Sequence, residues 1–279
     1  MRIVNTKDIE NAVYRAALTA GVNLTSSCRD ALESAYSEED EGAAKFALGE
    51  LIENSEIAKK MQMPVCQDTG MAVVILEIGN EIFFEGAPLP LAVNEGVRRA
   101  YRDGYFRKSV CDPITRANTT DNTPAALHTE IVAGDKIKLT FMPKGFGSEN
   151  MSALYMLKPA QGVQGIIDSI VETVEKAGSR PCPPVYVGVG IGGTFDGCAY
   201  LAKKALTRDI GTHSDRADIA AIENEALKRI NELGTGCQGF HGKVTALGVN
   251  CEWAPTHIAG LPVAVNIQCH CVRCVKEEL

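Results

Sequence analysis

Apolar positions along the chain alternate between two periods. In "TKDIENAVYRAALTAG" (6–21) they recur at helical spacing, which predicts an amphipathic helix capped by Thr6 or Asp8 and stopped by Gly21. Residues 28–61 keep that spacing on both sides of a charged stretch near Glu39, so two helices joined by a turn are expected there. The pattern then shortens: "MAVVILEIG" (71–79) and "EIFFEG" (81–86) read as strands. "PLAVNEGVRRAYRDG" (90–104) returns to helical spacing, with Pro90 near its start and Gly104 near its end.

Residues 107–126, "RKSVCDPITRANTTDNTPAA", carry no apolar period and form a long polar loop; such a loop inside a compact chain is more often functional than idle. "LHTEIV" (127–132) and "DKIKLTFMPK" (135–144) alternate as strands, and "KGFGSEN" (144–150) is a second polar loop with two glycines. "QGVQGIIDSIVETVEKAG" (161–178) is an amphipathic helix, and "PCPPVYVGVGIGG" (181–193) is a strand led by a thiol and closed by glycines. Helices are expected over 194–206 and 216–234, and late strands over 243–255 and 261–271. There is no internal repeat, low-complexity tract or clear linker. The fold class is therefore α+β: a helical N-terminal part followed by a mixed β-sheet with packed helices, one domain over 1–279 with room for two lobes.

Composition narrows the function classes. The 279 residues suffice for a sizeable core, and 45% hydrophobic with 23% charged residues is ordinary for a soluble globular chain. No apolar run is long enough to span a bilayer, and "MRIVNTKDIENAV" lacks the basic-then-apolar order of a signal peptide. A cytoplasmic protein with no membrane partner is expected. The formal charge of −7 argues against nucleic acid as a general partner, since phosphate binding needs a basic surface. A small anionic substrate needs only a few local arginines and is not excluded.

The ten cysteines are many for such a chain. Without a secretory signal a disulfide framework is not expected, which leaves metal or cluster ligation, catalysis or inert buried thiols. Three segments share one arrangement: "PVCQDTG", "PCPPVYVGVGIGG" and "VNIQCHCVRC" each put a cysteine at a strand edge beside polar or constrained backbone. Prolines on both sides of Cys182 stiffen the approach, and the glycines at 188, 190, 192 and 193 would let another group come close to the backbone. These glycines resemble a dinucleotide fingerprint only loosely, and nicotinamide binding is not expected. The final "CHCVRC" has the look of a zinc half-site, but no second close hook exists to complete it.

Taken together and in order, "PVCQDTG", "NTTDNTPAALH", "KGFGSENMSAL", "CPPVYVGVGIGGT" and "THIAGLPVAVNIQCH" closely resemble the alpha subunit of the iron–sulfur hydro-lyases of the tartrate dehydratase and class I fumarate hydratase family. The resemblance runs from about residue 10 to the C-terminus. It implies a [4Fe-4S] cluster held by three cysteines with one iron left open, and it carries that role onto Cys66, Cys182 and Cys269, with Cys271 and Cys274 within reach of the third position. Three thiolates instead of four leave an exchangeable position, the logic that separates catalytic from structural metal sites. An open iron is a Lewis acid for a substrate hydroxyl or water.

Other roles carried by the resemblance are those of Gln67 and Asp68 beside the open iron, with Asp68 as a proton acceptor. For Asp68 an Asx-type turn with Thr69 and Gly70 is the competing reading. Arg107 is implied as the substrate-carboxylate arginine, with Lys108 and Arg116 as competitors. Gly145 and Gly147 would offer backbone N–H groups to the other carboxylate, and His257 would orient a carboxylate or support a proton relay. The implied activity is reversible hydration of fumarate to (S)-malate, favoured by that family's commoner role in central metabolism. L(+)-tartrate dehydration to oxaloacetate is its rival within the class, and a non-catalytic zinc or iron–sulfur binding subunit is the alternative outside it. The resemblance also implies a separate beta subunit, in an α2β2 assembly, that supplies the carbon-acid base and further arginines.

Overall fold

The computed structural model describes residues 1–279. In chain order the elements are β1 (Arg2–Asn5), α1 (Thr6–Val22), α2 (Ser26–Glu38), α3 (Ala43–Met61), β2 (Met71–Gly79), β3 (Ile82–Glu85), α4 (Leu89–Asp103), β4 (Ala126–Val132), β5 (Ile137–Lys144), the four-residue α5 (Phe146–Glu149), β6 (Ala153–Leu157), α6 (Gly162–Ala177), β7 (Val185–Gly192), α7 (Phe195–Ala205), α8 (Ala217–Glu232), β8 (Ala246–Ala254), β9 (Leu261–Gln268) and β10 (Val275–Glu278). The α+β class holds, but the strands form two four-stranded mixed sheets and a two-stranded ribbon, not one sheet. No helix is long and apolar enough to cross a membrane. The chain divides into two compact units: residues 1–24, 54–146 and 273–279 in the first, residues 25–53 and 147–272 in the second.

The first unit is built on the sheet β10-β5-β2-β4, with β2 antiparallel to β5 and parallel to β4. Helices α1 and α4 share its core: Val13, Ala16 and Ala20 of the first, Val93 and Val97 of the second, and Val74, Leu76 and Leu139 of the sheet are buried together. Small residues on α1 let the helices approach, and at Gly96 of α4 a Cβ would run into the Glu10 carbonyl. The cap of α1 is neither Thr6 nor Asp8. Asn5 is extended and its Oδ1 accepts the Lys7 N–H at 2.9 Å. Thr6 instead donates its hydroxyl to the Glu85 carbonyl. The preceding residues form β1, paired with β3, so the helix begins as a continuation of a strand.

In the second unit the sheet order is β6-β9-β7-β8. Every residue of β7 is buried, and its two faces differ. Val185, Val187, Val189 and Ile191 face the core made with α6 and α8, where Ile170, Val174, Ile222 and Ile230 are buried. Each such side chain stabilises by roughly 1.5–3 kcal/mol before the opposing conformational entropy. The other face carries Gly188 and Gly190, and there α7 lies directly on the strand. A Cβ at Gly188 would overlap the Ala202 carbonyl, and one at Gly190 the Cys198 carbonyl. The group these glycines admit is the chain's own helix.

Gly190→Ala therefore forces α7 away from β7. The expected loss in denaturant-unfolding free energy is about 2 kcal/mol or more, against less than about 1 kcal/mol for Gly42→Ala, where a Cβ meets nothing within 4 Å. Equal effects at the two positions would contradict this packing.

Candidate active site

Between α3 and β2 the segment "CQDTG" turns on a set of side chains brought from distant positions. Tyr101 Oη lies 2.7 Å from the Thr69 carbonyl and 2.9 Å from that of Gly70. Asn122 Nδ2 donates to the Gly70 carbonyl at 3.1 Å, and Arg273 Nη2 to the Asp68 carbonyl at 2.9 Å. Tyr101, Asn122 and Arg273 are all buried. Burial pushes the Tyr101 phenol well above its ordinary range, so it stays a protonated donor. Thr69 hooks its hydroxyl onto the Arg107 carbonyl at 2.7 Å, which ties the start of the polar loop to this turn.

Both carboxylate oxygens of Asp68 accept backbone N–H groups: Oδ1 from Gly70 at 3.0 Å, Oδ2 from Phe146 at 2.9 Å. The first bond is the Asx-type turn read from the sequence. The second joins the turn to "KGFG". Gly145 is buried against this carboxylate, and Gly147 is exposed. Cys66 is half-buried, while Gln67 and the Arg107 side chain are open to solvent. The first unit thus gathers Cys66, Gln67, Asp68, Arg107 and Gly145 around one pinned turn.

The second unit carries Cys182, Cys269, Gly147 and His257. Strand β7 runs antiparallel to β9, with Tyr186 opposite Gln268. Cys182, just before β7, and Cys269, directly after β9, therefore emerge at the same end of the sheet. Cys182 is exposed and has φ of 55°, a left-handed backbone that costs a non-glycine residue about 1–2 kcal/mol. Its carbonyl accepts from the His270 backbone N–H at 3.3 Å and lies 3.0 Å from His270 Nδ1. The next carbonyl, of Pro183, accepts from Gln238 N at 2.8 Å and Gln238 Nε2 at 2.9 Å. Gln268 Nε2 reaches the Cys269 sulfur at 3.7 Å and the Cys271 carbonyl at 3.1 Å.

His257 stands apart from these two cysteines. It follows β8, whose Ala254 pairs with Gly192 at the far end of β7. That strand has eight residues, so the separation along it is roughly 20 Å. At that end Thr256 donates to the Gly193 carbonyl, and His257 Nδ1 accepts the Ala259 N–H. Gly188, Gly190 and Gly193 do fall at G-x-G-x-x-G spacing. The first two lie inside the strand under α7, where a dinucleotide fingerprint requires a turn.

Burial sorts the thiols. No disulfide is present. Cys28, Cys198, Cys237, Cys251 and Cys271 are buried, whereas Cys66, Cys182 and Cys269 are not. Burial raises the Cys28 thiol to about 12, Cys237 to about 12 and Cys198 to about 11, and lifts Cys251 well above the ordinary value. Cys28 and Cys198 act as donors, to the carbonyls of His270 and Gly190, both at 3.1 Å. No three His, Cys, Asp or Glu side chains within either unit gather as a single metal ion would require. Thiolates of a cubane bind different irons and need not meet at one point.

Sequence reasoning missed the residues that hold the backbone here: Tyr101, Asn122, Arg273, Gln238, Gln268 and His270. Asn122, Gln268, His270 and Arg273 lie within motifs read from the sequence, but nothing in those motifs says which carbonyl each one serves.

A sequence model described as fumarate hydratase (Fumerase) matches residues 10–278. A protein of Methanocaldococcus jannaschii provisionally named L(+)-tartrate dehydratase subunit alpha is 42% identical over 269 residues, covering 94% of each chain. The L(+)-tartrate dehydratase subunit alpha of Escherichia coli (strain K12) is 27% identical over 244 residues, covering 86% of this chain and 80% of its own.

Alkylation of the metal-free, reduced chain at mildly alkaline pH checks the sorting of thiols. Cys182 should react first. Cys28, Cys237 and Cys251 should react at least about 100-fold more slowly, because they are both sealed and protonated. Comparable rates, mapped by mass spectrometry, would refute it.

Proposed function

Because the chain belongs to the fumarate hydratase (Fumerase) family, we propose that it is the alpha subunit of a hydro-lyase that, with a separate beta subunit, reversibly adds water to fumarate to give (S)-malate. The observation that carries this reading is the family match across residues 10–278. A second reading, dehydration of L(+)-tartrate to oxaloacetate, is favoured by the names of the two relatives. (S)-Malate and L(+)-tartrate are small dicarboxylates that differ by one hydroxyl, so the same kinds of binding groups would serve either. The alpha-subunit names also support the separate beta chain; the stoichiometry we propose is α2β2.

The donor chemistry fits a [4Fe-4S] cluster on Cys66, Cys182 and Cys269. These thiols sit beside strand ends and remain accessible; of the two competitors for the third position, Cys271 is buried and Cys274 is half-buried. A cluster on three thiolates, when bound, supplies one iron with an exchangeable position that acts as a Lewis acid on a substrate oxygen.

The chain's own groups bind and orient. Arg107 presents an exposed guanidinium whose fork suits a carboxylate, on backbone held by Thr69. Of the two glycines, exposed Gly147 would offer its N–H to the second carboxylate, while Gly145 is buried against Asp68. Gln67 is exposed and free to hydrogen-bond the substrate's hydroxyl or the attacking water. Asp68 spends one lone pair of each oxygen on backbone N–H and keeps the others to accept a proton from that hydroxyl. His257 receives no role beside Cys182 and Cys269, since the length of β7 separates them. The base that takes the carbon-bound proton would come from the beta subunit.

Anaerobic purification with and without a beta-type partner tests the division of labour. The pair should hydrate fumarate and the chain alone should not; full turnover by the isolated chain refutes it. Parallel assay of tartrate dehydration decides between the two substrates. Asp68→Asn should keep iron and sulfide content while lowering kcat by roughly 100-fold or more. Unchanged kcat would remove Asp68 from the chemistry.

A further inference from the structure

Two consecutive carbonyls follow the Cys182 Cα, and four donors converge on them: His270 N and Nδ1 on that of Cys182, Gln238 N and Nε2 on that of Pro183. His270 directly follows Cys269, so its bonds span from the loop after β9 to the loop before β7. A carbonyl only accepts, and the proton of the imidazole is therefore assigned to Nδ1. Gln238 Nε2 lies 3.3 Å from that nitrogen and directs one of its two hydrogens to Pro183, at 2.9 Å. On the other side, Cys28 donates its thiol to the His270 carbonyl at 3.1 Å from a fully buried position.

The backbone here is strained on both sides of the contact. Cys182 has φ of 55° and Gln238 has φ of 52°. Such conformations persist when the surrounding bonds over-determine them. A surface turn with no task would relax by substituting glycine, as at Gly236 and Gly239 in the same segment, where φ is 68° and 82°. At 182 the left-handed position is kept by a cysteine.

We propose that His270 and Gln238 are positioning residues: they clasp the Cys182 and Cys269 loops together and preset two thiols before any metal arrives. The ligand role of those thiols rests on the cluster reading above; the clasp itself does not. Groups that hold ligands in place in this way change metal affinity by about 10–100-fold when removed. The motif "CHCVRC" thereby acquires a role other than a zinc hook, with His270 serving the backbone of a distant cysteine.

The test begins with the metal-free, reduced chain and a short thiol-bridging reagent, dibromobimane, with products mapped by mass spectrometry. In the wild type Cys182 and Cys269 should be bridged. His270→Ala and Gln238→Ala should lower that yield about tenfold, and His270→Asn, which keeps an N–H donor near the Nδ1 position, should restore most of it. Thermal unfolding reports whether each variant is folded; if His270→Ala is not, Gln238→Ala and His270→Asn decide. Undiminished bridging in both alanine variants overturns the clasp.

Anaerobic reconstitution with iron and sulfide then follows cluster lifetime against a chelator, and the paramagnetic resonance signature of the oxidised cluster. The alanine variants should lose iron 10–100-fold faster than the wild type, with His270→Asn close to wild type. Equal lifetimes in wild type and alanine variants also overturn the proposal. A wild-type chain that bridges as expected but takes up no iron leaves the clasp standing and refutes the cluster reading alone.

Discussion

Side-chain donors on main-chain carbonyls fix the places where this chain keeps its accessible thiols. Beside Cys66, the carbonyls of Asp68, Thr69 and Gly70 are held by Arg273, Tyr101 and Asn122. Beside Cys182, two successive carbonyls are held by His270 and Gln238. Each bond contributes about 1 kcal/mol net, and more where its loss would strand a buried polar group. Their greater effect is geometric. A reactive thiol has to be open to its ligand, so its position must come from the backbone on either side of it.

Burial supplies the complementary constraint. The core of the second unit presses α7 onto the glycine face of β7 and packs aliphatic side chains on the other, which leaves the strand ends as the places where polar groups can be exposed. Thiols inside that packing, Cys198 and Cys251 among them, are held protonated and act as small apolar residues or donors. Packing buries half of the chain's ten cysteines and leaves Cys66, Cys111, Cys182, Cys269 and Cys274 open to chemistry.

Local elements were largely legible. The helical periods of α1, α4, α6 and α8 and the apolar runs of β2, β7 and β9 are local properties, and they fold where the pattern puts them. Sheet partition was not legible, because pairing β9 between β6 and β7, or β10 beside β5, depends on contacts across long sequence separations. Short β1 and β10 escaped for the same reason: each is defined by its pairing, β1 with β3 and β10 with β5, across a long sequence separation. The cap of α1 shifted to Asn5 because Thr6 is drawn to Glu85, eighty residues away in round numbers. In the site, the cysteine-bearing turns could be found from their motifs. Their supports could not, since Tyr101, Arg273 and Gln238 act on segments far from their own. His257 belongs to one of those motifs yet lies at the opposite end of β7 from Cys182 and Cys269, which only the register of β8 and β9 on β7 reveals.

The hydro-lyase account stands on one inorganic group bound through three particular sulfurs. An iron-edge anomalous difference map, from crystals grown and cooled without oxygen, tests it most directly. The account requires iron density bonded to the sulfurs of Cys66, Cys182 and Cys269, with one iron lacking a protein ligand. Iron bonded to Cys271 or Cys274 instead, or well-ordered crystals of the reconstituted protein with no iron signal, would contradict it.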